Sequence, residues 1–207
     1  RDRLLKMLSF LEKADRFKGA FPHWMNGVSG KVIPFSTRDD GGDLVETSFL
    51  FEGLLAARGY FKENTSEEQL LRSKITALWE AIEWDWYRQY FQNFIYWHWS
   101  PNYQFAMNFP VRGWNEGMIV YLLGIASPTH GVPEGLYEKG WAGNSNYTNK
   151  NQYYSVLLPL GPALGGPLFF AHYSFMGFDP RNIKDKYTNY FTQNRNHTLI
   201  NRAYCIA

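Results

Sequence analysis

Four carboxylates crowd into eight residues of the run Thr37-Arg38-Asp39-Asp40-Gly41-Gly42-Asp43-Leu44-Val45-Glu46. Acids at this density can do general acid–base work if one is held protonated and another ionised. From Asp43 to Phe61 the pattern is helical, with Leu44, Phe51 and Leu55 on one face and Asp43, Glu46, Leu50 and Gly53 on another. A helix that starts this way can carry acids to the mouth of a cleft. The same residues also read as a capping box, Asp-x-x-Glu before an apolar run, with negative charge at the positive end of the helix dipole. Gly41 and Gly42 are expected to let the backbone turn sharply between the two acid pairs.

A further acid lies in Arg112-Gly113-Trp114-Asn115-Glu116-Gly117. Its neighbours Trp114 and Met118 are apolar, and desolvation would raise Glu116 toward a working general acid. The structural alternative is a first-turn glutamate that steadies a helix dipole. Glu67, Glu68 and Glu80 sit on polar helix faces and read as solvated charges. With eight Trp, fourteen Tyr and sixteen Phe, the chain holds more rings than its core needs. The surplus falls beside Gly, Pro, Asn and His, where rings line pockets. Sugar C–H faces stack on such rings while hydroxyls take hydrogen bonds from polar rims.

Other chemistries lack their motifs. Gly27-Val28-Ser29-Gly30 is not a nucleophile elbow, and Gly30-Lys31 lacks the rest of a phosphate loop. No His-Glu-x-x-His pattern occurs, and Cys205 stands alone, which argues against zinc and against a disulfide framework. Asp39, Asp40 and Asp43 could hold calcium, but not with the spacing of an EF-hand. Asn64, Asn146 and Asn196 lie in glycosylation sequons of the kind that chance supplies. A net charge of +2 with no basic block argues against nucleic acid. No apolar run reaches the roughly 18–20 residues of a membrane span.

The elements that must position these residues follow from periodicity. Residues 1–18 read as a helix on Leu4, Leu5, Leu8, Leu11 and Phe17. A small hairpin is expected about Gly27 and Gly30. Thr65-Ser66-Glu67-Glu68 opens a helix carrying Leu71, Ile75, Leu78 and Ile82. Residues 94–109 read as a second hairpin bearing Trp97, Trp99 and Tyr103. Asn115 is expected to cap a helix from Met118 to Ala126 that is apolar all round and stopped by Pro128. Pro133 should start a short helix to about Lys139. Residues 141–180 read as a loop-rich binding segment, and 187–204 as a last helix.

Several of these segments, in order along nearly the whole chain, resemble the bacterial glucoamylase-like family. That family is related to β-1,2-glucanases and to the glucoamylase-like domain of cyclic β-1,2-glucan synthases. The resemblance is carried by Thr37–Phe61 with its Asp-Leu-Val-Glu-Thr helix start, by residues 113–123, by Ser127-Pro128-Thr129-His130 and by Pro167-Leu168-Phe169. It implies an all-α fold, an (α/α) toroid of helical hairpins with short β-hairpins in the cleft loops. Five or six helices are legible where six hairpins need about twelve, so residues 1–207 are expected to be the N-terminal part of the domain. The rest of the toroid would then lie outside the chain.

The resemblance further implies an exported bacterial glycoside hydrolase, periplasmic or extracellular, that cleaves β-linked glucan, foremost β-1,2, without a metal or organic cofactor. Glu116 would be the general acid, Asp43 or Glu46 would serve as base or position the water, and Asp39 or Asp40 matches the loop acid before them. Trp24, Trp99, Tyr103, Trp114, His172 and Tyr173 would line sugar subsites, with Arg38 and Asp40 as further substrate contacts. A glycan-binding protein that uses its acids only as caps, or a transglycosylase, would share most of these features.

Overall fold

The computed structural model describes residues 1–143 and 146–207. Helix α1 (Asp2–Leu11) ends before the expected residue 18. Asp15 is drawn out of helical register because its carboxylate accepts from Lys31 Nζ and from the Val32 N–H, and its own N–H reaches Gly30 O. Those bonds fasten the first hairpin, β1 (Trp24–Met25) with β2 (Val32–Ile33), where Trp24 faces Ile33. Gly30 closes it at φ +71°, a left-handed conformation that suits glycine.

Strand β3 (Gly42–Asp43) runs directly into α2 (Leu44–Tyr60). Leu44, Val45, Thr47, Ser48, Phe51 and Leu54 are the buried side of that helix. Thr65 caps α3 (Ser66–Glu80), accepting from the Glu68 N–H. The expected reciprocal bond is not made, because the Glu68 carboxylate turns to the Glu63 N–H and to Arg1. Helix α3 packs against α1 and α2 through Leu71, Ile75 and Leu78.

The second hairpin is more divided than its sequence suggests. β4 (Ile95–Tyr96) pairs with β6 (Pro110–Val111), and Ser100 bridges Gln104, so the two arms do meet. Between these contacts β5 (His98–Trp99) turns to a different partner and pairs antiparallel with β3, Gly42 opposite Trp99 and Asp43 opposite His98. This pairing holds the acidic loop. It also explains Gly41 and Gly42, neither of which has a positive φ. A Cβ on Gly41 would lie 2.1 Å from Trp99 O, and one on Gly42 would lie 2.1 Å from the Tyr87 hydroxyl. The two glycines permit close approach, and sharp turning is not their role.

Helix α4 (Met118–Ala126) is buried on most sides and packs on α2. Its N-cap is Gly117, and Asn115 sits outside the helix with Oδ1 accepting from the Gly117 N–H at 2.8 Å. After Pro133 the chain makes a turn and then a single π-helical turn, Tyr137–Trp141. The segment expected to be loop holds the longest strand pair among the described residues, β7 (Thr148–Tyr153) with β8 (Val156–Leu160). The run Thr-Asn-Lys-Asn-Gln-Tyr has no apolar alternation to announce a strand. Helix α5 (Phe169–His172), a 3₁₀ turn (Tyr173–Phe175) and α6 (Tyr190–Ile206), capped by Asn189, complete the chain. Trp84, Tyr87, Tyr121, Trp141, Tyr147 and Tyr190 are fully or almost fully buried, so much of the ring surplus is core.

Candidate active site

Asp43 is the fixed point. It is 0% exposed, and every direction around its carboxylate is taken. Oδ1 accepts from the N–H groups of Val45 (2.9 Å) and Glu46 (3.0 Å), which caps α2. Oδ2 accepts from the Trp97 indole N–H at 3.0 Å and lies 2.8 Å from His23 Nδ1. Asp43 therefore anchors its neighbours and presents no free oxygen for use as a base. The capping box is only half built. The Asp43 N–H goes to Phe21 O, so Glu46 is not called back to it.

Glu46 is left half-buried, one turn into α2, with no side-chain hydrogen bond among the described residues. Burial pushes its carboxyl up, the charges of Asp43 and Glu116 push the same way, and His23 opposes them. Glu116 stands in the turn that leads into α4, also half-buried. Burial raises its carboxyl too, a bond from its own backbone N–H partly offsets this, and the charge of Asp43 adds to the rise. Two carboxyls from two helix beginnings thus lie near enough to feel one electrostatic field. The Glu116 turn is itself braced: Ser174 Oγ donates to Glu116 O (2.5 Å) and accepts from the Ile119 N–H (3.1 Å).

The loop acids differ from one another. Asp40 accepts from Ser100 Oγ (2.5 Å) and from Asn102 Nδ2 (2.7 Å). Burial works against these bonds, but they prevail and hold its carboxyl below the usual range. Asp40 is a strut between the acidic loop and the turn that carries Tyr103. Asp39 is buried, with Oδ1 3.2 Å from His98 Nε2, the same nitrogen that faces the Gly41 N–H at 3.2 Å. Burial drives Asp39 up and His98 down, and the charge of each partner opposes the shift of the other.

His23, Trp97 and His98 did not emerge from the sequence as members of this group. Their signal lay in strand pairing, since only the β3–β5 ladder sets His98 opposite Asp43. His23 packs on Phe35 (centroids 4.3 Å apart), and Trp24 meets Phe35 edge-on at 4.9 Å. Trp24 is 53% exposed and offers an open ring beside the acids. A ring nitrogen of His23 and carboxylate oxygens of Asp39 and Asp43 lie within 4.8 Å of one another. Asp43 is already bonded four ways, so this trio reads as a hydrogen-bonded group and not as a metal-ligating one. The calcium trio does not form either, because Asp40 is bonded elsewhere.

The expected subsite residues separate. Tyr173, 42% exposed, packs edge-on to Phe49, three residues past Glu46 on α2, and so stands beside the acids. Tyr103 is exposed in the turn that Asp40 holds. Arg38 is exposed and makes no ion pair among the described residues. Trp99 directs its ring to Trp86 and its N–H to Gln104 Oε1, while Trp97 is the indole that touches Asp43. Trp114 is 4% exposed and stacked on Tyr190, so it is a core ring that supports the Glu116 turn. His172 turns to α6, with Nε2 3.0 Å from Thr198 Oγ1, in a cavity shared with Phe175, Phe191 and Arg195.

Comparison with known proteins bears on this arrangement. Residues 108–207 match the Glycoamylase family model, described as "Putative glucoamylase". An exo β-1,2-glucooligosaccharide sophorohydrolase (non-reducing end) of Parabacteroides distasonis is 46% identical over 99% of this chain and 31% of its own length. The structure of an endo-β-1,2-glucanase from Chitinophaga pinensis, in complex with sophorotriose and glucose, is 51% identical. It superposes with a TM-score of 0.95 over 99% of this chain and 50% of that one. A β-1,2-glucanase structure from Parabacteroides distasonis gives 46% identity and a TM-score of 0.96 over 99% and 32%. The chain spans half or less of the length of these relatives. The likeness covers the acidic loop, both acid-bearing helix starts and the hairpins between them: the chain is similar along its length to β-1,2-glucanases, and its residues 108–207 match the glucoamylase family model.

Proposed function

We propose that the protein hydrolyses β-1,2-glucan or its oligosaccharides by a two-carboxylate mechanism. The observation that carries this reading is the pair Glu46 and Glu116. Both are half-buried, neither is committed to another side chain, and they come from the starts of two packed helices. Glu116 gives its proton to the glycosidic oxygen as the C–O bond breaks, and Glu46 takes a proton from the attacking water. Asp39 is buried beside His98 and so less open to an attacking water than half-buried Glu46, and Asp43 positions the others. Trp24 and Tyr173 offer ring faces to the sugars. The names of relatives similar to this chain support the β-1,2 linkage.

The helical hairpins are read as part of an (α/α) toroid, a ring larger than six α-helices among the described residues can close. Among those residues no helix is long and apolar enough to cross a membrane. We assign the protein to the periplasm or the extracellular space of a bacterium, where a polymeric glucan is met. Release of reducing ends from linkage-defined glucans by the intact gene product tests the function. Glu116→Gln and Glu46→Gln should each lower turnover of β-1,2-glucan by about 10²-fold or more. Full activity in Glu116→Gln removes it as the acid. Binding without any product in the wild type would mark a glycan-binding protein.

A further inference from the structure

Two rings bond one oxygen of Asp43, and each carries a further ring outward. His23 Nδ1 lies 2.8 Å from Oδ2, with Phe35 and Trp24 beyond it. On the other branch the Trp97 indole N–H donates to Oδ2 at 3.0 Å, and Phe109 stacks on that indole, centroids 5.2 Å apart and planes 16° from parallel. Trp97 is tied at a second point, because its backbone N–H donates to Phe109 O at 2.9 Å. Phe109 is held as firmly. Pro110 follows it and disfavours helical backbone there, and that proline pairs with Tyr96 in the β4–β6 ladder. Asn108 before it turns the chain at φ +45°, a conformation that asparagine tolerates, with its N–H on Phe105 O at 2.8 Å. Yet Phe109 is 53% exposed. One face lies on the indole, so the area left open is its edge and its outer face.

We infer that Phe109 is a substrate-binding ring: its outer face stacks on the C–H face of a glucosyl unit of β-1,2-glucan held beside the acids. This rests on the hydrolase reading above. The ring joins the two halves of the proposed site. Inward it reaches Asp43, the cap of α2, through one indole. Onward its chain becomes β6 and then the Glu116 turn, where a Cβ on Gly117 would lie 2.5 Å from Val111 Cγ1. Tyr90 and Phe91 are more exposed still, but the cavity they line contains no acid of this site. A ring fixed in advance by an indole, a proline and a strand pairing loses little freedom when a sugar settles on it. Its contact therefore goes into affinity.

The test compares Phe109→Leu, which keeps an apolar contact on Trp97 but has no ring face, with Phe109→Tyr, which keeps the ring. In the intact gene product Phe109→Leu should raise KM for β-1,2-glucan about tenfold with kcat little changed, and Phe109→Tyr should stay near wild type. Calorimetry with a β-1,2-linked glucose trisaccharide, in a Glu116→Gln background that does not turn it over, should show the same weakening. An unchanged dissociation constant overturns the inference. So does a fall in kcat and melting temperature with binding intact, because Phe109 would then only prop Trp97 or lie under another part of the protein. Should Phe109→Leu fold poorly, NMR of the Glu116→Gln protein decides. Magnetisation transfer between the Phe109 ring protons and sugar C–H protons supports the contact, and its absence in the saturated complex overturns it. A wild type that binds the trisaccharide through Phe109 but releases no product sinks the hydrolase reading alone. One that cleaves glucan equally well with Phe109→Leu sinks the inference alone.

Discussion

At the scale of single residues, an acid's role follows from how many of its oxygens the protein has already used. Asp43 has none to spare. Replacing it with alanine removes a helix cap and leaves the Trp97 N–H and His23 without their acceptor. We expect a loss of roughly 2–4 kcal/mol, read from denaturant unfolding, together with loss of hydrolysis. Trp24 is the converse case. It is half exposed and meets Phe35 and His23 only at ring edges, so Trp24→Ala should weaken binding of glucan oligosaccharides by about tenfold and shift the melting temperature little. Isothermal calorimetry and a thermal melt check the two halves of that statement. The sequence could name every acid in the group, because charge density and spacing are visible in one dimension. It could not rank them, because Asp40 and Asp43 were distinguished from Glu46 by partners at residues 97, 100 and 102.

Elements bring those partners in. The two-residue pairing of β3 with β5 joins the acidic loop to the hairpin of residues 95–111, and it depends on two glycines whose Cβ positions are occupied by neighbouring atoms. Gly41→Ala should push Trp99 away from the loop. We expect a loss of about 1–3 kcal/mol and a fall in turnover larger than the fall in substrate binding, which steady-state kinetics on β-1,2-glucan would separate. Helices were the most legible elements, since α2 and α3 announce themselves by period and cap and α4 by an apolar run, although Asn115 does not cap it. The strands were least legible. β3 and β5 are two residues long, too short for a pattern, and β7 is polar throughout. Trp99 and Trp97 exchange roles for the same reason, since a strand that changes partner midway does not keep the simple alternation from which a facing is read.

At the scale of the whole molecule, among the described residues, Glu52 is a buried acid that the proposed reaction does not use and that no side chain pairs. Glu52, on the second turn of α2 past Glu46, is 5% exposed, and its carboxyl oxygens lack hydrogen-bond partners. Burial pushes it up to about 7, with weak opposition from the Gly177 backbone. In the unfolded chain it releases its proton near the ordinary glutamate value of 4.5. Between those values the folded state binds more protons than the unfolded one, so stability falls as pH rises from about 4.5 to about 7. The full penalty, roughly 3 kcal/mol, stands above pH 7. Glu52→Gln should therefore raise the melting temperature at pH 8 and make little difference at pH 4.5, as calorimetry across pH would show. An unchanged pH dependence would contradict that account.

Ser174 gives the site a further property. One hydroxyl clasps both the carbonyl of Glu116 and the amide of Ile119, and the residue before it is Tyr173, whose phenol rests on Phe49. Under the proposed function, a glucose ring that settles on Tyr173 would press on the same short piece of chain that holds Glu116 in place. Occupancy of that position and alignment of the acid would then be a single mechanical event, and a substrate long enough to reach it should be cleaved faster as well as held more tightly.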